Sequence, residues 1–231
     1  MPAAAKSAAQ GGLNGEPRQP SRDCCLCPRL AETRAALRLS HPDWFNAPVP
    51  PLGPLEAPLL IVGLAPGREG ANRTGRPFTG DWAGDLLFAT LLKLGLADGV
   101  YEERADDSLR LTVCRIANSV RCLPPANKPL PAEIATCRPF LEAELQALPR
   151  LRVLVALGRI AHESALRALG LKPSAFPFGH GTRHVLPVQG PSGQPLYLFD
   201  SYHCSRYNTN TGRLTVPMFE AVFRAAMAEI N

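Results

Sequence analysis

With 231 residues, 45% of them hydrophobic and 19% charged, the chain is long enough for one well-cored domain and too short for two large ones. No apolar run approaches the roughly eighteen residues of a membrane span, and the first twenty residues carry one lysine and no apolar signal segment, so a cytoplasmic protein with no membrane partner is expected. The formal charge is +5, and of 25 basic residues only Lys6, Lys93, Lys128 and Lys172 are lysines; arginine suits bidentate phosphate contact, although a GC-rich genome gives the same bias.

Residues 1–20 are Ala, Gly, Pro, Gln and Ser with little to bury and read as a disordered tail, leaving 21–231 as the working domain. Residues 40–57 hold many prolines and read as an irregular connection. Leu59-Leu60-Ile61-Val62 is a continuous apolar run ending in Gly63-Leu64-Ala65-Pro66-Gly67, as a buried parallel strand ends in a loop. The spacing predicts a helix over 80–95, a strand over 111–120, a helix over 131–148 with proline at its start, a strand over 151–158 and a helix over 159–169. Strands over 184–188 and 196–200 and a helix over 216–230 complete the chain. Strands alternating with helices imply an α/β fold with a parallel sheet covered on both faces. In such sheets ligands bind beyond the C-terminal strand ends, so Gly63–Gly67, Asn118 and Tyr202–Asn210 are expected to converge.

Four of the seven cysteines form two pairs, Cys24/Cys27 in C-x-x-C and Cys122/Cys137 with fourteen residues between them. Four thiolates hold one zinc ion or one [4Fe–4S] cluster. A zinc ribbon would repeat the short pair; the wide second spacing and the Cys27-Pro28 step lean towards iron–sulfur without excluding zinc. Buried thiols acting as small hydrophobes are the plain alternative.

Gly63–Gly67 lacks both G-x-G-x-x-G and the Gly-Lys-Ser/Thr of a P-loop, so neither dinucleotide nor triphosphate binding is indicated; its backbone amides suit a carbonyl or a phosphate. Gly75-Arg76-Pro77-Phe78-Thr79-Gly80-Asp81 puts an aromatic ring fit to stack on a base and a carboxylate just ahead of a helix. Taken alone, Asp81 reads as a helix cap. Asn118 offers a donor and an acceptor suited to a pyrimidine edge. Tyr202 to Arg213 is a polar, basic, aromatic loop fit to clamp DNA, with His203 its best-placed titratable donor.

Together these segments resemble the uracil-DNA glycosylase superfamily, in particular the fifth ("B") type of its iron–sulfur branches. The resemblance runs from Cys24 to about residue 215, through C-x-x-C-P-R-L, G-L-A-P-G, G-R-P-F-T-G-D, N-S-V-R-C, C-x14-C, L-G-R-x-A and H-x-S. It implies a three-layer α/β/α sandwich around a four-stranded parallel sheet and a structural [4Fe–4S] cluster bound by Cys24, Cys27, Cys122 and Cys137. Cys25, Cys114 and Cys204 are left over. Fourth-type members carry Glu where this chain has Leu64; in the fifth type a downstream Asp takes over, which Asp81 matches. Cys204 stands where the second motif usually has Pro, removing a fixed φ from that loop.

The resemblance further implies excision of uracil, and of hypoxanthine or other deaminated bases, from DNA by a monomer. Phe78 would stack on the flipped base, the Gly63, Leu64, Ala65 and Gly67 backbone would meet its carbonyl, and Asn118 and Ser205 would contact it. Asp81 and His203 would be catalytic, while Arg206, Tyr207, Asn208 and Arg213 would hold DNA. The rival readings are a non-catalytic iron–sulfur DNA-binding module and a flavodoxin-like redox protein.

Overall fold

The computed structural model describes residues 17–230. In chain order its elements are α1 (Pro28–Ser40), β1 (Leu59–Gly63), α2 (Trp82–Lys93), β2 (Ala97–Asp98), β3 (Arg110–Leu111), β4 (Cys114–Asn118), α3 (Pro131–Ala147), β5 (Val153–Leu157), α4 (Arg159–Ala168), β6 (Arg183–Gln189), β7 (Pro195–Ser201), α5 (Arg206–Asn210) and α6 (Val216–Met227).

One sheet runs β4-β1-β5-β7-β6. Its first four strands are parallel, as expected, and β6 adds an antiparallel fifth strand at the edge. The extra strand follows from the connection. Only residues 190–194 separate β6 from β7, closed by Gly190 N–H to Gln194 O at 2.9 Å, and so short a turn joins only antiparallel neighbours.

The continuous apolar run of β1 reflects burial on both faces. Leu59 and Ile61 pack with α2 and α6, whereas Leu60 and Val62 pack with α3 and α4. The result is three layers, α/β/α. A third, smaller cluster of Leu30, Val120, Cys137 and Phe140, with Cys27 and Cys122 against it, joins α1 and α3 beyond the end of β4.

The strand expected over 111–120 divides in two. Arg110–Leu111 pairs with Ala97–Asp98 in a small separate hairpin, and only Cys114–Asn118 enters the main sheet. Helix α1 was not evident from spacing, because its buried side is narrow and includes Arg34 beside Leu30 and Leu37. Of the tail expected over 1–20, residues 1–16 lie outside the described residues. Residues 17–20 pack onto α3, with Arg18 over the Phe140 ring and Gln19 Nε2 donating to Glu144. Among the described residues, no helix is long and apolar enough to cross a membrane.

Candidate active site and thiol pocket

Parallel pairing brings the C-terminal ends of β1, β4 and β7 to one side of the sheet. Gly63 is in register with Asn118, and Leu157 with Ser201, two residues before His203. There a cleft of about 430 Å³ is lined by Leu64, Ala65, Gly67, Phe78, Asp81, Asn118, His203, Ser205 and Arg206. The three segments expected to meet do meet.

Asn118 is 3% exposed, and its Oδ1 has no hydrogen-bond partner. An unpaired buried acceptor is costly unless something else fills it. Gly63 makes room for it: a Cβ there would run into Asn118 Oδ1 and press on the Phe78 ring. Phe78 itself has φ +54°, a left-handed conformation that costs a bulky residue about 1–3 kcal/mol and persists only where its surroundings enforce it. The enforcement comes from Arg76, whose two terminal nitrogens grip Asp107 at 2.6 and 2.7 Å while Nε donates to Thr79 Oγ1 at 2.7 Å. Tyr101 adds its hydroxyl to the Phe78 carbonyl and accepts from Gly80 N–H.

Asp81 is both cap and cleft residue. Its Oδ1 accepts from Gly84 N–H at 3.2 Å at the head of α2, and burial pushes its carboxyl above the usual range. The other oxygen lies against Gly67 and Gly70, where a side chain on Gly70 would collide with it. His203 faces Phe78, with ring centroids 6.1 Å apart and an interplanar angle of 28°. Burial pushes its imidazole down to about 4, so at neutral pH it is an uncharged N–H donor. The segment around His203 is held without the usual proline: Cys204 is fully buried, and Asn208 Nδ2 donates to His203 O at 2.8 Å.

Ser205 lines the cleft and caps the short helix α5, which sequence reading took for loop. Trp82 Nε1 donates to Thr209 Oγ1 at 2.8 Å and Arg206 lies over the Trp82 ring, tying α2 to α5 across the rim. Tyr207 is 71% exposed beside them. A second cleft of about 400 Å³ shares Leu64 and His203 with the first and takes in Asn208 and Arg213. Sequence reading missed Arg159 and Phe178 in that second cleft and Asn127 in the first. The signal at Asn127 was faint: the run Pro124-Pro125-Ala126-Asn127 ends in two residues with positive φ, a loop held in an uncommon shape.

Cys24, Cys27, Cys122 and Cys137 line one pocket with Leu30, Val120, Arg121 and Phe140. Burial pushes the Cys27 thiol up to about 11 and that of Cys122 up to about 12, and raises Cys137. The Arg121 amide lies 3.4 Å from Cys137 Sγ, and the buried Arg121 guanidinium has no hydrogen-bond partner on Nε, Nη1 or Nη2. Four sulfur donors beside a buried cation that lacks hydrogen-bond partners suit a thiolate-bound metal centre of net negative charge. Of the remaining cysteines, Cys25 is exposed, while Cys114 and Cys204 belong to the core on the α2/α6 side of the sheet.

A further cluster, not anticipated from sequence, joins His162, His184 and Asp200. His162 meets Asp200 Oδ1 at 2.7 Å and Phe176 O at 2.8 Å, and Asp200 Oδ2 takes His184 and Gly179 N–H at 3.1 and 3.2 Å. Each of these polar atoms has a protein partner, so the cluster is a brace between α4, β6 and β7.

A base-sized cleft at the strand ends of a parallel α/β/α sandwich, with a carboxylate, an uncharged histidine and an unpaired amide oxygen, is the ground on which the comparisons fall. The model of the Uracil DNA glycosylase superfamily matches residues 50–227, and the chain belongs to that superfamily. Within it, the chain is 47% identical over 210 residues to the Type-5 uracil-DNA glycosylase of Thermus thermophilus, covering 88% of this chain and 92% of the relative. It is 39% identical to the Type-5 uracil-DNA glycosylase of Pyrobaculum aerophilum, over 90% and 89% of the two chains. The Type-4 uracil-DNA glycosylase of Archaeoglobus fulgidus matches at 38% identity over 49% of each chain.

Proposed function

We propose that this protein is a monofunctional uracil-DNA glycosylase that hydrolyses the N-glycosidic bond of a flipped-out uracil and leaves an abasic site. The observation that carries the reading is Asn118, a residue lining one space with Phe78, Asp81 and His203, whose buried Oδ1 has no hydrogen-bond partner. Uracil in that space donates N3–H to Asn118 Oδ1 while Phe78 covers one face of its ring. Cytosine has no hydrogen at N3 and would leave the acceptor buried and unpaired, the strongest kind of rejection a pocket offers.

Flipping costs a few kcal/mol, least at mismatches or in single strands. As the C1′–N1 bond breaks, its electrons move onto the base and positive charge grows on the sugar. His203, uncharged at neutral pH, donates its N–H to the developing anion. Asp81 as carboxylate faces the sugar cation and orients a water, whose oxygen bonds to C1′ while its proton leaves towards the carboxylate or solvent. The backbone of Gly63, Leu64, Ala65 and Gly67 forms the floor, and Ser205 sits at the edge of the base. Arg206, Tyr207, Asn208 and Arg213 form the DNA face. Leu64 puts no second charge in the floor, which leaves room for hypoxanthine or other deaminated bases.

We infer that Cys24, Cys27, Cys122 and Cys137 hold a [4Fe–4S] cluster whose contribution is structural, cross-linking α1, the loop after β4 and α3. The spacing of the thiols supports a cluster over a single zinc ion. Among the described residues no three cysteine sulfurs lie within 4.8 Å of one another, whereas zinc–sulfur bonds of about 2.3 Å draw a tetrahedron's sulfurs to about 3.8 Å. The enzyme acts on DNA in the cytoplasm, with residues 21–231 as its working domain, and one flipped base needs only a monomer.

The test is excision from end-labelled oligonucleotides carrying one uracil, single-stranded or opposite G or A, with hypoxanthine in parallel and alkali to cut abasic sites. Cleavage at uracil is expected. An intact protein that binds these oligonucleotides and releases no base from any of them refutes the proposal.

A further inference from the structure

The thiol pocket holds a buried cation whose hydrogen-bond donors no described residue fills. Arg121 is 1% exposed, and Nε, Nη1 and Nη2 all lack a hydrogen-bond partner. Among the described residues it is paired with Glu144, 3.6 Å from Nη2, but that carboxylate is also engaged elsewhere. Glu144 Oε1 accepts from Arg115 Nε, and Oε2 accepts from Gln19 Nε2 at 3.0 Å. Arg34, 7% exposed, lies on the same pocket, with Nη1 3.6 Å from Cys122 Sγ and Nη2 donating to Cys24 O at 2.6 Å. Among the described residues, Arg121 thus has one ion-pair contact, at 3.6 Å, and no hydrogen bond from its guanidinium, with Arg34 beside it on the same pocket. The neighbouring Arg29 and Glu133 satisfy each other through a separate two-bond pair.

A buried guanidinium survives in a fold when an opposite charge or a set of acceptors compensates it. The space that Arg121 lines is walled by four cysteines, which as metal-bound thiolates present both a net negative charge and sulfur acceptors. We propose that Arg121, assisted by Arg34, is the built-in counter-charge of the metal centre, a positioning residue that sets how firmly the centre is held and at what potential. The inference rests on the cluster reading given above. It extends the role of the N-S-V-R-C segment from the Cys122 ligand to the side chain just before it.

The test uses full-length protein purified without oxygen, as wild type, Arg121→Met, Arg121→Lys and Arg34→Met. Iron, sulfide and zinc content, the rate of metal loss to a chelator, and the midpoint potential are measured; uracil excision is not the readout. Removing a fixed positive charge disfavours the reduced, more negative centre, so Arg121→Met is expected to have a lower midpoint potential. It should lose metal to the chelator about 10–100-fold faster. Arg121→Lys, which keeps the charge, should stay near wild type, and Arg34→Met should fall between. If Arg121→Met does not fold, Arg34→Met and Arg121→Lys carry the comparison, and wild-type chelator kinetics in Arg34→Met overturn the proposal. Arg121→Met that keeps both potential and metal like wild type overturns it directly. Wild type carrying zinc removes the cluster reading while the chelator series still tests Arg121, and wild type carrying no metal removes both.

Discussion

Asp81 serves two ends at once: Oδ1 caps α2, and the second oxygen faces the cleft floor at Gly67 and Gly70. Asparagine caps helices as well as aspartate does, so Asp81→Asn should leave thermal stability nearly unchanged. Base release should slow by about 10²–10⁴-fold with DNA affinity retained. Single-turnover excision beside a melting curve separates the two effects. The pH profile follows from the same burial. The working form of Asp81 is the carboxylate, and its raised pKa means activity falls as pH drops through a point above the ordinary 3.8. His203 is pushed down to about 4, so no limb should appear near the usual histidine value of 6.5. A limb at 6.5 that vanishes in His203→Ala would refute the uncharged donor. Otherwise His203→Ala should cost about 10²–10³-fold at neutral pH.

At the scale of elements, the loop before α2 is held in an unfavourable backbone shape by the Arg76–Asp107 pair, both residues nearly fully buried. Arg76 holds the Asp107 carboxyl down at about 2. A carboxyl depressed in the folded state adds stability above its unfolded value of about 3.8 and loses it as pH falls towards 2, here about 2 kcal/mol. Arg76→Met strands a buried charge and should cost about 3–5 kcal/mol, lowering the thermal midpoint by roughly 10 °C. Replacing both partners with Arg76→Met and Asp107→Leu should recover part of that loss. A double variant no more stable than Arg76→Met would show that the pair is not what holds the loop. The segment itself was conspicuous in sequence. Its anchor was not, because Arg76 and Asp107 are 31 residues apart and nothing local marks them as partners.

Over the whole molecule, the basic excess gathers partly at the cleft rim, where Arg206 lies over Trp82 and Arg213 over Tyr202. If these arginines meet phosphates, Arg206→Ala and Arg213→Ala should each weaken binding across sequences. Each should also reduce the slope of log affinity against log salt by about 1. A titration of labelled uracil-containing DNA from low to high salt reads this. An unchanged slope in both variants would move the DNA path elsewhere.

The apolar runs of β1 and β5, the proline start of α3 and the glycine-rich end of β1 were legible because each is dictated by neighbours in the chain: burial on both faces demands unbroken Val, Ile and Leu, and a proline without N–H belongs in a first helical turn. The convergence of Gly63, Asn118 and His203 was legible too, since parallel strands must deliver their C-terminal ends to one side. Tertiary structure alone decided the antiparallel β6, the split of the strand around residue 112, the Asn127 edge of the cleft and the short helix α5. It alone left Asn118 Oδ1 and the Arg121 guanidinium buried without hydrogen-bond partners. Periodicity records which way a side chain points along its own element. Whether a buried polar atom finds a partner depends on elements far apart in sequence, and that is settled only when the layers close.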